Sequence, residues 1–264
     1  MRIGFLQFAP AWGDKQGNLE RVAAGLRGCG ADLVVLPELC TTGYQLTAAE
    51  ARALAEPFPG GPSADALAGI ARAERLHLVA GVAEQDGDGR VFNSAVLFGP
   101  DGHLGTYRKT HLFADEQDVF APGDTGFRVF EAAGCKVGLM VCFDWLFPEA
   151  ARSLALAGAQ LLAHPSNLVL PWCQRAMPVR CLENGVFAVT ANRTGAEARL
   201  AGRGELRFTG GSQVVDPRGG LLRAAGADEE RLGLVEIDPG RALDKWITAR
   251  NHALDDRRPE LYRR

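Results

Sequence analysis

The sequence has 264 residues, 47% of them hydrophobic, which is enough to bury a large core and fits one large domain better than two small ones. A formal net charge of −3, with neither sign gathered into a long run, argues against nucleic acid or a membrane surface as partner and for a small neutral or mildly polar molecule. No apolar stretch reaches transmembrane length, and the six cysteines (Cys29, Cys40, Cys135, Cys142, Cys173, Cys181) lack C-x-x-C spacing and are too sparse for a disulfide scaffold or a zinc site.

Ile3 to Phe8 reads as a first strand without the long apolar core and cleavage site of a signal peptide, which with the free thiols predicts a cytoplasmic protein. A helix follows from about Gly17 to Arg27, with Leu19, Val22, Ala23 and Leu26 on one face. Asp32 to Leu36 is a strand apolar on both faces, and it delivers Glu38 just past its carboxyl end. Thr47 and Glu50 form a capping-box pattern that opens a helix to about Glu56, and another helix runs from about Ser63 to Arg75. Leu76–Glu84, Arg90–Phe98 and His103–Tyr107 are strands joined by tight turns, hence antiparallel. Arg108 to Phe113 then enters a loop through Ala114 to Asp124, of the length that usually carries a function inside a compact domain.

Gly126–Phe130 and Lys136–Val141 form a hairpin that ends at Cys142, and Pro148 with Glu149 starts a helix stopping at Gly158. Gln160–His164 is a short strand with Pro165, Ser166 and Asn167 at its end; Trp172–Asn184 is a helix that Pro178 bends. Gly185–Ala191 is again a buried strand. The last third is antiparallel, at Gly211–Val215, Leu221–Ala225 and Leu232–Ile237, before a short helix from Asp238 to Trp246 and a charged tail over 247–264. Mixed crossovers and hairpins with amphipathic helices predict an α/β protein whose sheets pack face to face with helices outside.

Three residues fall at or beyond strand ends with complementary chemistry. A thiol such as Cys142 attacks an electrophilic carbon, a carboxylate such as Glu38 takes and returns a proton, and an ammonium such as Lys109 stabilises a tetrahedral oxyanion. The bend at Cys142, with backbone N–H groups and a helix start nearby, is expected to favour thiolate over thiol. His111 and His164 read as orienting or structural residues, and the other five cysteines as packing. The glycines at 202, 204, 210 and 211 lack the strand-to-helix context of a phosphate loop, and no metal or cofactor is expected.

Pro37-Glu38 with Thr42-Gly43-Tyr44, then Tyr107-Arg108-Lys109-Thr110-His111-Leu112-Phe113, then Cys142-Phe143-Asp144 with Phe147-Pro148-Glu149, resemble the three signature regions of the nitrilase, or carbon–nitrogen hydrolase, superfamily, in the family's order. The segments around His164–Asn167 and Arg175–Asn184 look like those of its thermophilic-type amidase branch. The resemblance implies a single-domain four-layer α-β-β-α sandwich over residues 1–264 and a Glu-Lys-Cys triad falling on Glu38, Lys109 and Cys142. It adds a second glutamate, matching Glu116 in preference to Asp115, and a homodimer or larger assembly to which the tail contributes. The mechanism it implies is attack by Cys142 on an amide carbon, proton transfer by Glu38, and an oxyanion held by Lys109 and the Phe143 N–H. Tyr44, Phe113, Trp145 and Asn167 are candidates for pocket walls or plain core packing.

One departure bears on specificity. Where many members of the family carry arginine or tryptophan four residues after the nucleophile, this chain has Leu146, with Trp145 just before it. Leucine cannot hold a carboxylate bidentately, so small aliphatic or aromatic amides are the first expectation, with nitriles or N-carbamoyl amides as alternatives. An inactive member serving as a binding or assembly module, and acyl transfer to an acceptor other than water, are the remaining readings.

Overall fold

Alternate residues of the first strands point into two different cores, and that alternation sets the architecture. In the computed structural model, which describes residues 1–262, β1 (Arg2–Gln7), β2 (Leu33–Val35), β3 (His77–Gln85), β4 (Val91–Gly99) and β5 (Gly102–Arg108) lie side by side. The chain then builds a second sheet from β6 (Val129–Ala132), β7 (Cys135–Leu139), β8 (Leu161–Ser166), β9 (Phe187–Asn192), β10 (Gln213–Val215) and β11 (Leu221–Ala224). Finally β12 (Arg231–Glu236) returns to the first sheet, antiparallel to β1, with Phe5 opposite Gly233. The strand orders are β12-β1-β2-β3-β4-β5 and β11-β10-β9-β8-β7-β6, each with three parallel strands at its centre and antiparallel pairs outside.

Ile3, Phe5, Leu33, Val35, Val79 and Leu97 share one core with Val137, Leu139, Leu161, Ala163, Phe187 and Val189 of the facing sheet. Their neighbours Leu6, Val34, Leu78, Ala80 and Val96 face the opposite way. They pack on α1 (Lys15–Leu26) and α3 (Pro62–Glu74) through Val22, Leu26, Leu67 and Ile70. On the far side, α4 (Pro148–Leu156) and α5 (Cys173–Asn184) cover the second sheet with Leu154, Met177 and Cys181. The result is the four-layer α-β-β-α sandwich. Burying a side chain such as Leu33 or Phe5 contributes roughly 1.5–3 kcal/mol, so the inter-sheet core is a principal source of stability. At the edge of that core, Gly105 of β5 makes room for Phe130, whose ring would lie 2.1 Å from any added Cβ.

The helix over Ala48–Leu54, α2, is opened by the reciprocal Thr47–Glu50 capping box that the sequence predicts. The carboxyl-terminal expectation is corrected. The helix predicted to reach Trp246 is only a 3₁₀ turn, Pro239–Leu243, and the stretch expected to be a tail folds back as a hairpin pairing Trp246–Thr248 with Asn251–His252. Short polar side chains hold its turn: Thr248 Oγ1 accepts from the backbone N–H of Asn251 at 3.1 Å, and Asp256 accepts from that of His252 at 3.0 Å. Residues 263–264 of that predicted tail lie outside the described residues. Among the described residues no helix is long and apolar enough to cross a membrane.

Candidate active site

The carboxyl ends of β2, β5, β7 and β8 meet at one place. Beyond β2 the backbone stays paired, with Leu36 N–H bonded to Val79 O and Cys40 N–H to Gly81 O, so Glu38 is held against β3 with little freedom. Gly81 is required there, because an added Cβ would lie 2.4 Å from the Glu38 Cα and 2.8 Å from the Pro37 carbonyl. Lys109 continues the ladder past β5 through its N–H on Asn93 O, and Glu116 sits in a 3₁₀ turn, Ala114–Asp118, within the long loop.

These three side chains form one buried cluster. Lys109 Nζ donates to Glu38 Oε1 at 2.7 Å and reaches Glu116 Oε1 at 2.8 Å and Oε2 at 2.7 Å. Burial works against the ammonium, yet Glu116 and Glu38 outweigh it and hold Lys109 well above its ordinary value. Burial pushes the Glu116 carboxyl up, with Lys109 opposing and Glu38 adding to the rise. Tyr44 donates its hydroxyl to Glu116 Oε1 at 2.7 Å and is held protonated by burial and by the charge of Glu116. Asn93 Nδ2 donates to Glu38 Oε1 at 2.7 Å, whereas Glu38 Oε2 is buried without a partner.

Cys142 begins a second 3₁₀ turn, Cys142–Leu146, with φ at +40°, a left-handed value unusual for a residue with a side chain. Buried groups hold this bend. Asp144 Oδ2 accepts from the Val141 N–H and the Tyr107 hydroxyl, both at 2.8 Å, and Oδ1 accepts from His111 Nδ1 at 2.7 Å. The carbonyl of Cys142 can only accept, so His164 Nε2, 2.9 Å away, carries the ring proton, and Nδ1 accepts from Thr190 at 3.1 Å. Burial lowers His164 to about 4, which keeps it neutral. Both histidines thus hold the bend, a structural use that the sequence predicts for His164, whereas for His111 it predicts orientation of its own loop.

The thiol itself corrects an expectation. Burial raises Cys142 well above the ordinary thiol value, Glu38 adds to the rise, and the positive charge of Lys109 does not undo it. The resting residue is therefore a thiol, because its position beside a helix start also removes it from water. Burial likewise pushes Cys40 up to about 12 and Cys135 to about 11, in keeping with packing roles.

Phe113, Phe143, Trp145 and Asn167 line a small, partly open cleft with Cys142, Leu168, Val169 and Leu170. Phe113 also borders a second, larger cavity with Tyr44, Glu116, Phe120, Leu200, Arg203 and Leu206. All the pocket candidates from the sequence therefore lie at the site. Leu146 lines neither cavity: it is half-exposed, and its carbonyl accepts from Arg180. Asn93 was legible only as a polar residue, beside Ser94, in a largely apolar strand, and Glu197, which bonds the backbone of Tyr44, carries no sequence signal. Among the described residues no group of three or more His, Cys, Asp or Glu side chains is arranged to hold a metal ion.

The sequence profile described as carbon-nitrogen hydrolase matches residues 2–244. A protein of Pyrococcus abyssi named nitrilase is 49% identical over 234 residues, which cover 88% of this chain and 87% of that protein. The carbon-nitrogen hydrolase of Helicobacter pylori superposes with a TM-score of 0.89 at 30% identity, covering 99% of this chain and 97% of the other. At a TM-score of 0.81 and 30% identity, covering 99% and 98%, the chain resembles a mutant of the Nesterenkonia sp. AN1 amidase solved after Michael addition of acrylamide at its active site cysteine.

Proposed function

The chain belongs to the carbon–nitrogen hydrolase family, a family of amidase- and nitrilase-type enzymes, and from that premise we propose that it hydrolyses small aliphatic or aromatic amides through a thioester on Cys142. Glu38 takes the thiol proton as the sulfur bonds to the amide carbon, and the carbonyl oxygen becomes an oxyanion held by Lys109 and the Phe143 N–H. Collapse of that intermediate breaks the C–N bond, and Glu38 returns the proton to the leaving nitrogen, releasing ammonia or an amine. Water then attacks the thioester, again giving its proton to Glu38, and the departing sulfur recovers a proton as the carboxylic acid leaves. Glu116, steadied by Tyr44, orients the substrate amide and the incoming water.

The observation that carries this reading is the Glu38 carboxylate. Lys109 and Asn93 occupy one oxygen, leaving the other buried with no hydrogen-bond donor from the protein, in a cluster whose charges bear on a protonated thiol. Fixed donors in a dry site stabilise developing charge more than water does. The apolar lining around Cys142 supports an uncharged hydrocarbon substituent, and Arg203 in the neighbouring cavity is already paired with Asp115 at 3.0 Å. Residues 1–264 act as one domain in this reading. The exposed Trp246, Ile247 and Leu261 of the carboxyl-terminal hairpin and turn support a homo-oligomer, and the sparse cysteines support a cytoplasmic location.

Ammonia release from butyramide, benzamide, an N-carbamoyl amine and butyronitrile tests the proposal. The amides are expected to turn over and Cys142→Ala to abolish the reaction. Full activity in Cys142→Ala, or turnover of the nitrile alone, would overturn it.

A further inference from the structure

A second buried ion pair lies behind the cluster. It joins the segment after β9 to the loop that carries Tyr44. Glu197 accepts from the Tyr44 N–H with both oxygens at 3.1 Å and from the Gln45 N–H with Oε2 at 2.6 Å. Its charge is met by Arg193 Nη1, and both side chains are almost wholly buried. Arg193 is fixed in turn by Nε on Thr194 O at 3.2 Å, Nη2 on Pro10 O at 3.3 Å, and the Phe208 ring 4.1 Å from the guanidinium carbon. The same Phe208 ring meets Tyr44 edge-on at 5.8 Å. The loop packs closely on this carboxylate: a Cβ on Gly43, where φ is +82°, would lie 3.2 Å from Glu197 Oε1 and 3.0 Å from the Trp12 Cα. Tyr44 is thereby gripped by backbone and ring, and its hydroxyl meets Glu116 at the oxygen that Lys109 also contacts.

We propose that Glu197, locked by Arg193, is a positioning residue that holds the Tyr44 hydroxyl on Glu116 and so fixes the orientation of Glu116 toward the substrate amide. The proposal rests on the amide hydrolase reading for its catalytic consequence, but the grip itself is independent of turnover. A carboxylate that takes two adjacent backbone N–H groups acts as a fixed point for that loop, and removing it frees the hydroxyl to leave Glu116. Stranding a buried guanidinium would harm the fold by itself, so the pair is changed together in Arg193→Gln with Glu197→Gln. A milder Glu197→Asp keeps the charge and withdraws the carboxylate by one methylene.

With butyramide as probe, each variant is expected to lose about tenfold in kcat with a smaller change in KM. Adding Tyr44→Phe should cost nothing further, since both changes remove the same contact. Methyl methanethiosulfonate, which carries no amide, should label Cys142 at the wild-type rate, a result that general loosening of the structure would not give. The protein has three tyrosines, so 3-fluorotyrosine labelling reads the grip directly, with Tyr44→Phe assigning the resonance. In Glu197→Asp the Tyr44 signal should shift or broaden. An unmoved Tyr44 resonance, or wild-type kcat in the folded Glu197→Asp protein, or full additivity with Tyr44→Phe, would overturn the proposal. Failure of the wild-type enzyme to hydrolyse any amide would instead overturn the reading it rests on, and the fluorine signal would still decide the grip.

Discussion

Lys109 serves two carboxylates with one ammonium, and only Glu38 keeps an oxygen free of partners. Glu38→Gln preserves much of the shape and removes the carboxylate that the proposed mechanism uses as its base, so kcat for ammonia release is expected to fall about 10²- to 10⁴-fold. The same substitution has an opposite effect on the thiol. Burial first, and then the negative charge of Glu38, raise Cys142; without that charge Lys109 remains, and the thiol should titrate at lower pH. Labelling by methyl methanethiosulfonate against pH checks the sign: the wild-type rate climbs through pH 9, and the Glu38→Gln profile moves toward acid. A move toward alkali would contradict the charge assignment. Glu38 and Cys142 were legible because each follows a strongly apolar run, and Lys109 because it sits in the distinctive Tyr107–Phe113 segment, its own strand being mostly polar. The protonation of the thiol was not, since dipole arguments say nothing about how many layers of protein will cover a side chain. Arg193 and Glu197 escaped for a related reason: what they do depends on a loop some 150 positions away in the chain.

At the level of strands and turns, the site depends on places where the backbone has no room to move. Gly81→Ala would put a Cβ 2.4 Å from the Glu38 Cα, a clash with backbone that no rotamer relieves. A displacement of about 1 Å at a reacting group can cost about 100-fold, and kcat in Gly81→Ala is expected to fall by that order while the folded protein still melts cooperatively. Wild-type turnover would show that β3 yields without disturbing Glu38. The central strands were easy to read because runs such as Leu33–Val35 and Phe187–Asn192 are buried throughout, and the capped α2 announced itself by its first four residues. The carboxyl-terminal hairpin was hard to read because its order comes from Thr248 and Asp256 accepting from nearby backbone N–H groups and from the Asn251 amide donating to Asp256, a pattern without hydrophobic period.

For the molecule as a whole, the neutral His164 ties stability to acidity. Its imidazole titrates near 6.5 in an unfolded chain and at about 4 in the folded one. Between those values the unfolded chain takes up the proton and the folded chain does not. The contribution is therefore present above about pH 6.5 and lost as pH falls through about 4, amounting to about 3 kcal/mol. Chemical denaturation of wild type and His164→Gln should show a shallower acid slope in the variant; equal slopes would place the acid sensitivity elsewhere. The return of β12 to β1 has a consequence for how the protein is made. A ribosome releases Glu38 and Lys109 before Cys142, and the strand that completes the first sheet emerges only after residue 231. The edge of β1 must wait, open, through most of synthesis, so a nascent chain stalled short of that strand offers a sticky ribbon where the finished molecule has none.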